Sequence, residues 1–190
     1  MSRSKWFLAS LISACAVPGL VLADSYKIES DHTVPSFEVP HMGISIRRGL
    51  FTKTTGQVTL DRTAQTGKVE VEIDAATVDF GHAKLEEHVR SKDFLDVEKY
   101  PTIKYQGALK FANGAPASVD GQLTLHGVTK PVKLAVKSFN CIDHPFYKKE
   151  VCGAEVEGDF NRNDFGITKY GEGEGGKVLL RIQVEAIKEG

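Results

Sequence analysis

The chain has 190 residues, of which 24 are basic, 25 are acidic and 41% are hydrophobic. This length accommodates one domain with a sizeable core. The balance of charge excludes a protein that attracts nucleic acid through a basic surface. No second long apolar segment follows the N-terminal one, so we expect a single soluble domain.

The N-terminus has the pattern of a secretory signal peptide, which we assign to residues 1–23. Arg3 and Lys5 precede an apolar run over residues 6–22, and the short side chains at its end suit cleavage before Asp24. The run contains polar residues and a Pro-Gly pair, which makes it marginal for spanning a bilayer. We therefore expect the mature domain, residues 24–190, in the periplasm.

The three cysteines fall into two groups. Cys15 leaves with the signal peptide; an alternative is a lipoprotein signal that lipidates Cys15, but it would leave apolar residues 16–23 at the mature start. Cys141 and Cys152 remain as an even pair in an oxidising compartment, so a disulfide is the simplest interpretation. A redox or metal pair would need closer spacing or further ligands.

The mature chain is mainly β. Apolar and polar residues alternate over short runs, which is typical of strands with one dry face, and clusters of Gly, Pro and Asn separate them. Residues 49–60 predict a strand bent at Gly56. About eight antiparallel strands in one domain remove their edges most completely by closing into a barrel.

One segment interrupts the strand pattern. Leu85 and Val89 lie four residues apart within residues 80–98, where charged residues separate the apolar ones. This spacing predicts a helical connection that covers one opening of the barrel.

The sequence contains little that indicates catalysis. Six histidines suggest a metal site, and His32, His41 and His88 are the candidates for a metal-dependent enzyme, yet none has the His-x-His or His-x-x-x-His spacing of a ligand pair. No Gly-x-Ser-x-Gly motif occurs. We therefore expect no enzyme activity, no metal and no cofactor.

Three further motifs have structural explanations. Glu86 and Glu87 are adjacent on the predicted helix and point about 100° apart, which favours a solvated face over an acid–base pair. The glycine-rich residues 171–176 predict a flexible hairpin, because two acidic residues would repel phosphate. Arg162 and Asp164 bracket a turn, where we expect an ion pair rather than a head-group site.

Five segments together resemble the YceI-like family of polyisoprenoid-binding proteins. They are residues 30–43 (SDHTVPSFEVPHMG), 49–51 (GLF), 87–101 (EHVRSKDFLDVEKYP), 123–132 (LTLHGVTKPV) and 161–166 (NRNDFG). The resemblance implies a lipocalin-like antiparallel barrel with a helix near its opening and without catalytic activity. Its implied ligand is an isoprenoid-type lipid, such as a polyprenyl chain or a quinone tail.

The barrel interior could be a packed core or a cavity, since about eight strands have room for either. Pattern alone favours the packed core, and the resemblance favours a cavity. The predicted lipid-binding residues that line it are Phe37, Val39, Phe51, Val69, Val71, Ile73, Leu85, Val89, Phe94, Leu123, Leu125, Val132, Leu134, Val136, Leu180, Ile182 and Val184.

Two other functions stay open at this point. One is the periplasmic metal-dependent enzyme built from histidines. The other is an interaction module for a membrane partner, because the resemblance implies an association with membrane cytochromes. Neither requires a lipid in the interior.

Overall fold

The protein is described by a computed structural model that covers residues 23–190. Nearly all of the predicted signal peptide, including Cys15, lies outside the described residues. The cleavage site and the choice between simple cleavage and lipidation therefore stay predictions.

The described chain consists of eleven strands and one α-helix. The strands are β1 (Asp24–Ile28), β2 (Val34–His41), β3 (Ser45–Phe51), β4 (Thr54–Asp61), β5 (Thr66–Asp74), β6 (Val78–Asp79), β7 (Thr102–Ala112), β8 (Ala115–Leu125), β9 (Val128–Asp143), β10 (Glu150–Asn161) and β11 (Lys177–Lys188). The helix is α1 (Ala83–Arg90), and short 3₁₀ helices lie at Ala75–Thr77, Arg162–Phe165 and Gly173–Gly176.

The strands form a closed antiparallel barrel, which confirms the predicted fold class. The order β1-β4-β5-β7-β8-β9-β10-β11 returns to β1 through the pairing of β11 with β1, so eight strands close the wall. β2 pairs with the N-terminal half of β11, β3 pairs with β2, and β6 pairs with β3. They lengthen the wall at one end, which is the end where α1 lies.

Thr33 joins the two segments of the wall that pair with β11. It lies between β1 and β2, is almost fully buried, and its hydroxyl donates to the carbonyl oxygen of Glu185 at 3.0 Å. The same hydroxyl accepts the backbone N–H of Glu185 at 3.0 Å. These two hydrogen bonds take the place of strand pairing at the point where β11 stops pairing with β2 and begins to pair with β1.

The predicted strand over residues 49–60 is interrupted at Thr52 and Lys53, and not at Gly56. Gly56 lies inside β4, where a Cβ would stand 2.2 Å from the carbonyl oxygen of Glu70. The glycine therefore permits β4 and β5 to approach closely. The interruption of the strand begins at Thr52, four residues before the predicted bend.

The helix is shorter than the predicted segment 80–98. The Glu86 carboxylate accepts the backbone N–H groups of Phe80 and His82, which lowers its pKa, so Glu86 fixes the helix start. The helix ends at Ser91, whose hydroxyl donates to the carbonyl of His88 at 2.7 Å. Residues 91–99 continue as turns. No helix within residues 23–190 is long and apolar enough to cross a membrane.

The barrel end opposite α1 is closed by a polar cluster over an apolar layer. Tyr26 is almost fully buried, and its hydroxyl donates to the Glu150 carboxylate at 2.6 Å. Arg62 forms a salt bridge with Glu150 at 3.1 Å and donates to the Tyr26 hydroxyl at 3.1 Å. Burial raises the pKa of Tyr26, and the Arg62 hydrogen bond lowers the pKa of Glu150.

A disulfide joins Cys141 to Cys152 beside this cluster, as predicted. The two residues lie directly opposite each other on β9 and β10, and Cys152 packs with Tyr26, Ile28, Leu60 and Ala186. The bond closes the hairpin that ends the barrel on this side.

Thiol titration of the unreduced mature protein should find no free thiol. Reduction should lower the free energy of unfolding by about 3 kcal/mol, because the unfolded chain gains the entropy of an open hairpin loop. Denaturant unfolding with and without reductant measures this difference. Two reactive thiols before reduction would contradict the pairing.

The cluster of Tyr26, Arg62 and Glu150 should make the free energy of unfolding depend on pH in the acid range. Because the folded pKa of Glu150 is lowered, its contribution is complete above the usual glutamate pKa of about 4.3 and is lost as the pH falls through the folded value. Glu150→Gln should cost on the order of 1 kcal/mol at pH 7. It should also lose less stability between pH 7 and about pH 3 than the parent.

Glu72→Gln is the matched control, because Glu72 forms an exposed pair with Lys104 on the outer wall. Exposed pairs contribute little, so this variant should keep the acid profile of the parent. If Glu150→Gln lost as much stability in acid as the parent, the cluster would not contribute to the pH dependence of stability.

Candidate functional site

The barrel encloses a cavity of about 1120 Å³. Small-molecule pockets typically measure about 300–1,000 Å³, so this cavity is slightly larger than most of that class. It runs from Ile28 and Phe139 at the closed end to His41 and Met42 at the other end. The α-helix and the loop between β10 and β11 lie at the open end, which we call the mouth.

One wall of the barrel faces empty space. In a packed core the inward side chains of β5 and of the middle of β11 would be fully buried, yet six of them are only half-buried. These residues are Val69, Val71 and Ile73 on β5 and Leu180, Ile182 and Val184 on β11. Their remaining exposed surface faces the cavity, so the interior is hollow along this wall.

The wall formed by β7, β8 and β9 is packed more closely, although Leu109, Val136 and Phe139 on it are also only half-buried. Its buried inward side chains include Ile103, Val119, Leu123, Val132 and Leu134. The two walls together explain how one barrel combines a hydrophobic core with a cavity.

Tyr105 is the polar residue built into the packed wall. Its hydroxyl donates to the carbonyl oxygen of Val132 at 2.9 Å, and burial raises its pKa. The ring lies across Gly121, where a Cβ would stand 2.3 Å from the tyrosine. Gly121 therefore provides the space that lets Tyr105 lie flat against the wall.

The structure places every residue of the predicted lining set on the cavity wall. The half-buried members are Phe37, Val39, Val69, Val71, Ile73, Leu85, Val89, Phe94, Val136, Leu180, Ile182 and Val184. The fully buried members are Phe51, Leu123, Leu125, Val132 and Leu134. A role of these residues in holding a lipid stays a prediction.

Further lining residues were not in the predicted set. The apolar ones are Ile28, Val58, Phe80, Leu95, Ile103, Leu109, Pro116, Val119, Ala154, Val156, Phe160, Ile167, Val178 and Phe139. Phe139 was missed because β9 has a bulge: Val136 faces Val156 and Ser138 faces Glu155, so Lys137 is an additional residue. The bulge reverses which side chains point inward beyond Val136.

The mouth is lined by polar and apolar side chains together. His41, Met42 and Arg47 come from the β2–β3 hairpin, and His88 comes from α1. The third contribution is the loop after β10, with Tyr170, Glu172 and Glu174. The cavity is therefore apolar in its depth and amphiphilic where it opens.

Arg162 does not form the predicted ion pair with Asp164. Its guanidinium donates to the carbonyl oxygens of Ile167 at 2.8 Å, Lys169 at 2.7 Å and Gly175 at 3.3 Å. Burial lowers its pKa. Backbone carbonyls of the following loop outcompete the neighbouring carboxylate, because the loop folds back over the side chain.

The glycine-rich segment 171–176 is not the flexible hairpin that its composition indicated. Gly173–Gly176 forms a 3₁₀ helix, and the Asn163 side chain donates to the carbonyl of Gly171 at 2.7 Å. Together with Arg162, this bond holds the segment against the mouth.

The histidines do not assemble into a site. Within residues 23–190, the only group of three close ligand atoms belongs to Cys141, Glu150 and Cys152, and the two sulfurs are joined in the disulfide. His32 instead forms a hydrogen bond with Glu29 at 2.7 Å, and His88 packs edge-to-face against Phe94. The hypothesis of a metal-dependent enzyme gains no support from this arrangement.

Comparison with known proteins decides the family. A profile of the YceI-like domain matches residues 26–186. The chain belongs to the YceI-like family. A UPF0312 protein of Pseudomonas aeruginosa is 36% identical to it over 185 residues, which is 95% of each chain.

Solved structures share the barrel of this YceI-like protein. The YCEI protein of Campylobacter jejuni superposes with a TM-score of 0.64 at 23% identity, covering 80% of this chain and 91% of that one. A polyisoprenoid binding domain from Saccharophagus degradans, implicated in plant cell wall breakdown, gives 0.61 at 12% identity and covers 86% and 98%. At these identities the likeness establishes the fold.

Two tryptophan substitutions should separate the hollow wall of the YceI-like barrel from its packed wall. Leu134→Trp should lower the free energy of unfolding by about 1–3 kcal/mol or more, because Leu134 is buried and the ring would overpack the wall. Ile182→Trp should cost clearly less, since both residues line the cavity but Ile182 is only half-buried. Equal losses in denaturant unfolding of the ligand-free variants would indicate a filled interior.

Proposed function

We propose that this YceI-like protein is a periplasmic carrier or buffer that holds a long apolar isoprenoid lipid in its barrel. The lipid is a polyprenyl chain, a quinone tail or a similar amphiphile, and the protein catalyses no reaction and needs no resident cofactor. The observation that carries the proposal is the hollow apolar wall, because its valine, leucine and isoleucine side chains are only half-buried and line the cavity.

The size and chemistry of the cavity suit such a ligand. At about 30 Å³ per small group, the cavity has room for a few tens of carbon-sized groups, which is a chain of several five-carbon units. Each buried CH₂ contributes about 0.8 kcal/mol before ordering costs. A long tail can therefore bind without any charged contact inside the barrel.

The amphiphilic mouth sets the expected orientation. The tail would lie along β5 and β11, and the polar end of the lipid would stay near His41, Arg47 and Glu172. Leaving the polar group at the mouth avoids the cost of burying it among apolar side chains.

The comparison with Saccharophagus degradans supports this assignment, since that structural neighbour is described as a polyisoprenoid binding domain. The periplasmic location rests on two features of this chain. The N-terminus has the pattern of a signal peptide, and the Cys141–Cys152 disulfide is of a kind that persists in oxidising compartments.

Extraction of the natively purified protein tests the proposal. Organic solvent should release a prenyl lipid that mass spectrometry identifies, in amounts approaching one per protein. Ile182→Trp should emerge with several-fold less lipid at an unchanged fold, because the ring occupies the space of the tail. Lys104→Gln, on the outer wall, is the control and should retain the full amount.

A protein that emerges empty, and that takes up no prenyl lipid after incubation, would defeat the carrier function. Retention of the same amount of lipid by Ile182→Trp would place the lipid elsewhere than along β11.

A further inference from the structure

The β2–β3 hairpin carries large apolar side chains at its tip. The backbone N–H of Ile44 donates to the carbonyl of His41 at 3.1 Å, which makes Met42 and Gly43 the two central residues of a tight turn. Met42 is 84% exposed and Ile44 is 80% exposed, and Ile46 follows on the outer face of β3. Met42 also lines the cavity mouth, so the exposed apolar surface continues into the interior.

The backbone of this turn does not favour a large apolar side chain. Met42 has φ 56°, a left-handed conformation that asparagine, aspartate and glycine adopt most readily. In residues 23–190, five of the seven non-glycine residues with positive φ are polar: Gln65, Asp96, Asn113, His126 and Lys148. The two exceptions, Met42 and Tyr170, both line the mouth.

The β7–β8 hairpin, at the closed end, gives the comparison. Its turn uses Asn113 and Gly114, both with positive φ, which is the preferred pair for such a turn. The fold therefore gains nothing from methionine at position 42. Because the turn does not require this apolar side chain, we expect Met42 to contact another molecule.

We propose that Met42, Ile44, Ile46 and Tyr170, which we call the tip patch, dock the mouth onto a phospholipid bilayer. The inference rests on the proposed function in one respect, because a prenyl lipid resides in a membrane and enters the cavity from there. Docking would bring the cavity opening against the acyl chains, so that the tail never crosses water.

The shape of the tip patch favours a bilayer over a protein partner. A two-residue turn is narrow and convex, whereas a stable protein interface buries about 1,200–2,000 Å² of complementary surface. A bilayer interface accepts protruding apolar side chains without shape complementarity.

The charges around the patch permit this contact. Arg47 is exposed and forms no salt bridge within the described part of the chain, and Arg48 pairs with Glu38 at 2.9 Å. Glu172 and Glu174, in the loop after β10, also line the mouth. The rim thus presents charges of both signs, and the apolar side chains provide the affinity.

A second exposed apolar group provides a matched control. Phe146 is 86% exposed in the loop between β9 and β10, at the closed end of the barrel, and it does not line the cavity. Substituting Phe146 removes a comparable apolar side chain from the protein surface without touching the mouth.

Flotation of the delipidated full domain with vesicles of phosphatidylethanolamine and phosphatidylglycerol tests the proposal. Met42→Asn combined with Ile44→Thr should lower the partition constant by about a hundredfold, since each lost side chain removes about tenfold. The melting temperature should stay the same or rise, because asparagine suits the turn better than methionine. Phe146→Asn should partition like the parent.

The proposal would be overturned by a parent protein that does not float, by a tip variant that floats like the parent, or by an equal loss for Phe146→Asn. A dimer that the tip substitutions dissociate, in a protein that ignores vesicles, would identify the patch as a contact between copies and also overturn it. The vesicles contain no prenyl lipid, so docking and lipid retention fail independently. A protein that retains lipid but does not float loses only the docking proposal.

Discussion

Closure of the sheet through β11 is the constraint on which the rest of the barrel depends. This strand pairs with β10 along one edge and with both β1 and β2 along the other, so no strand edge stays open in the main wall. A hollow barrel needs this continuity more than a packed one does. Where the inward side chains face a cavity, they contribute less packing energy, and the backbone hydrogen-bond ladder carries a larger share of the stability.

The packed layer and the most open side of the cavity lie on different strands of the barrel wall. The strands β7, β8 and β9 hold a packed layer of buried aliphatic residues around Tyr105, and the closed end adds the disulfide and the cluster of Tyr26, Arg62 and Glu150. The half-buried side chains of β5 and β11 border the cavity. Because the packed layer and the closed end hold the barrel together, the facing wall can remain open without collapse of the sheet.

At the mouth, hydrogen bonds between side chains and backbone hold the irregular segments, together with the buried side chains of Phe165 and Ile167. Arg162 holds three carbonyls of the loop after β10, and Glu86 holds two N–H groups before α1. His126 lies 3.1 Å from the carbonyl of Phe165 and links the β8–β9 turn to the same loop. These bonds keep the opening in place, because buried polar groups are costly to leave without partners.

The sequence by itself determined the β class, the closed barrel, the cysteine pair and the alternating residues that point inward, because strand periodicity and turn chemistry are local properties. It did not determine whether the interior was filled, since Ile182 and Leu134 have the same alternating pattern, and only the structure shows that Ile182 is half-buried and Leu134 is buried. The tertiary structure also decided the bulge at Lys137, which brings Phe139 inside, and the bonds of Arg162 to carbonyls distant in the loop. Register, cavity volume and such partners depend on how strands meet in space, and one strand's sequence does not contain that information.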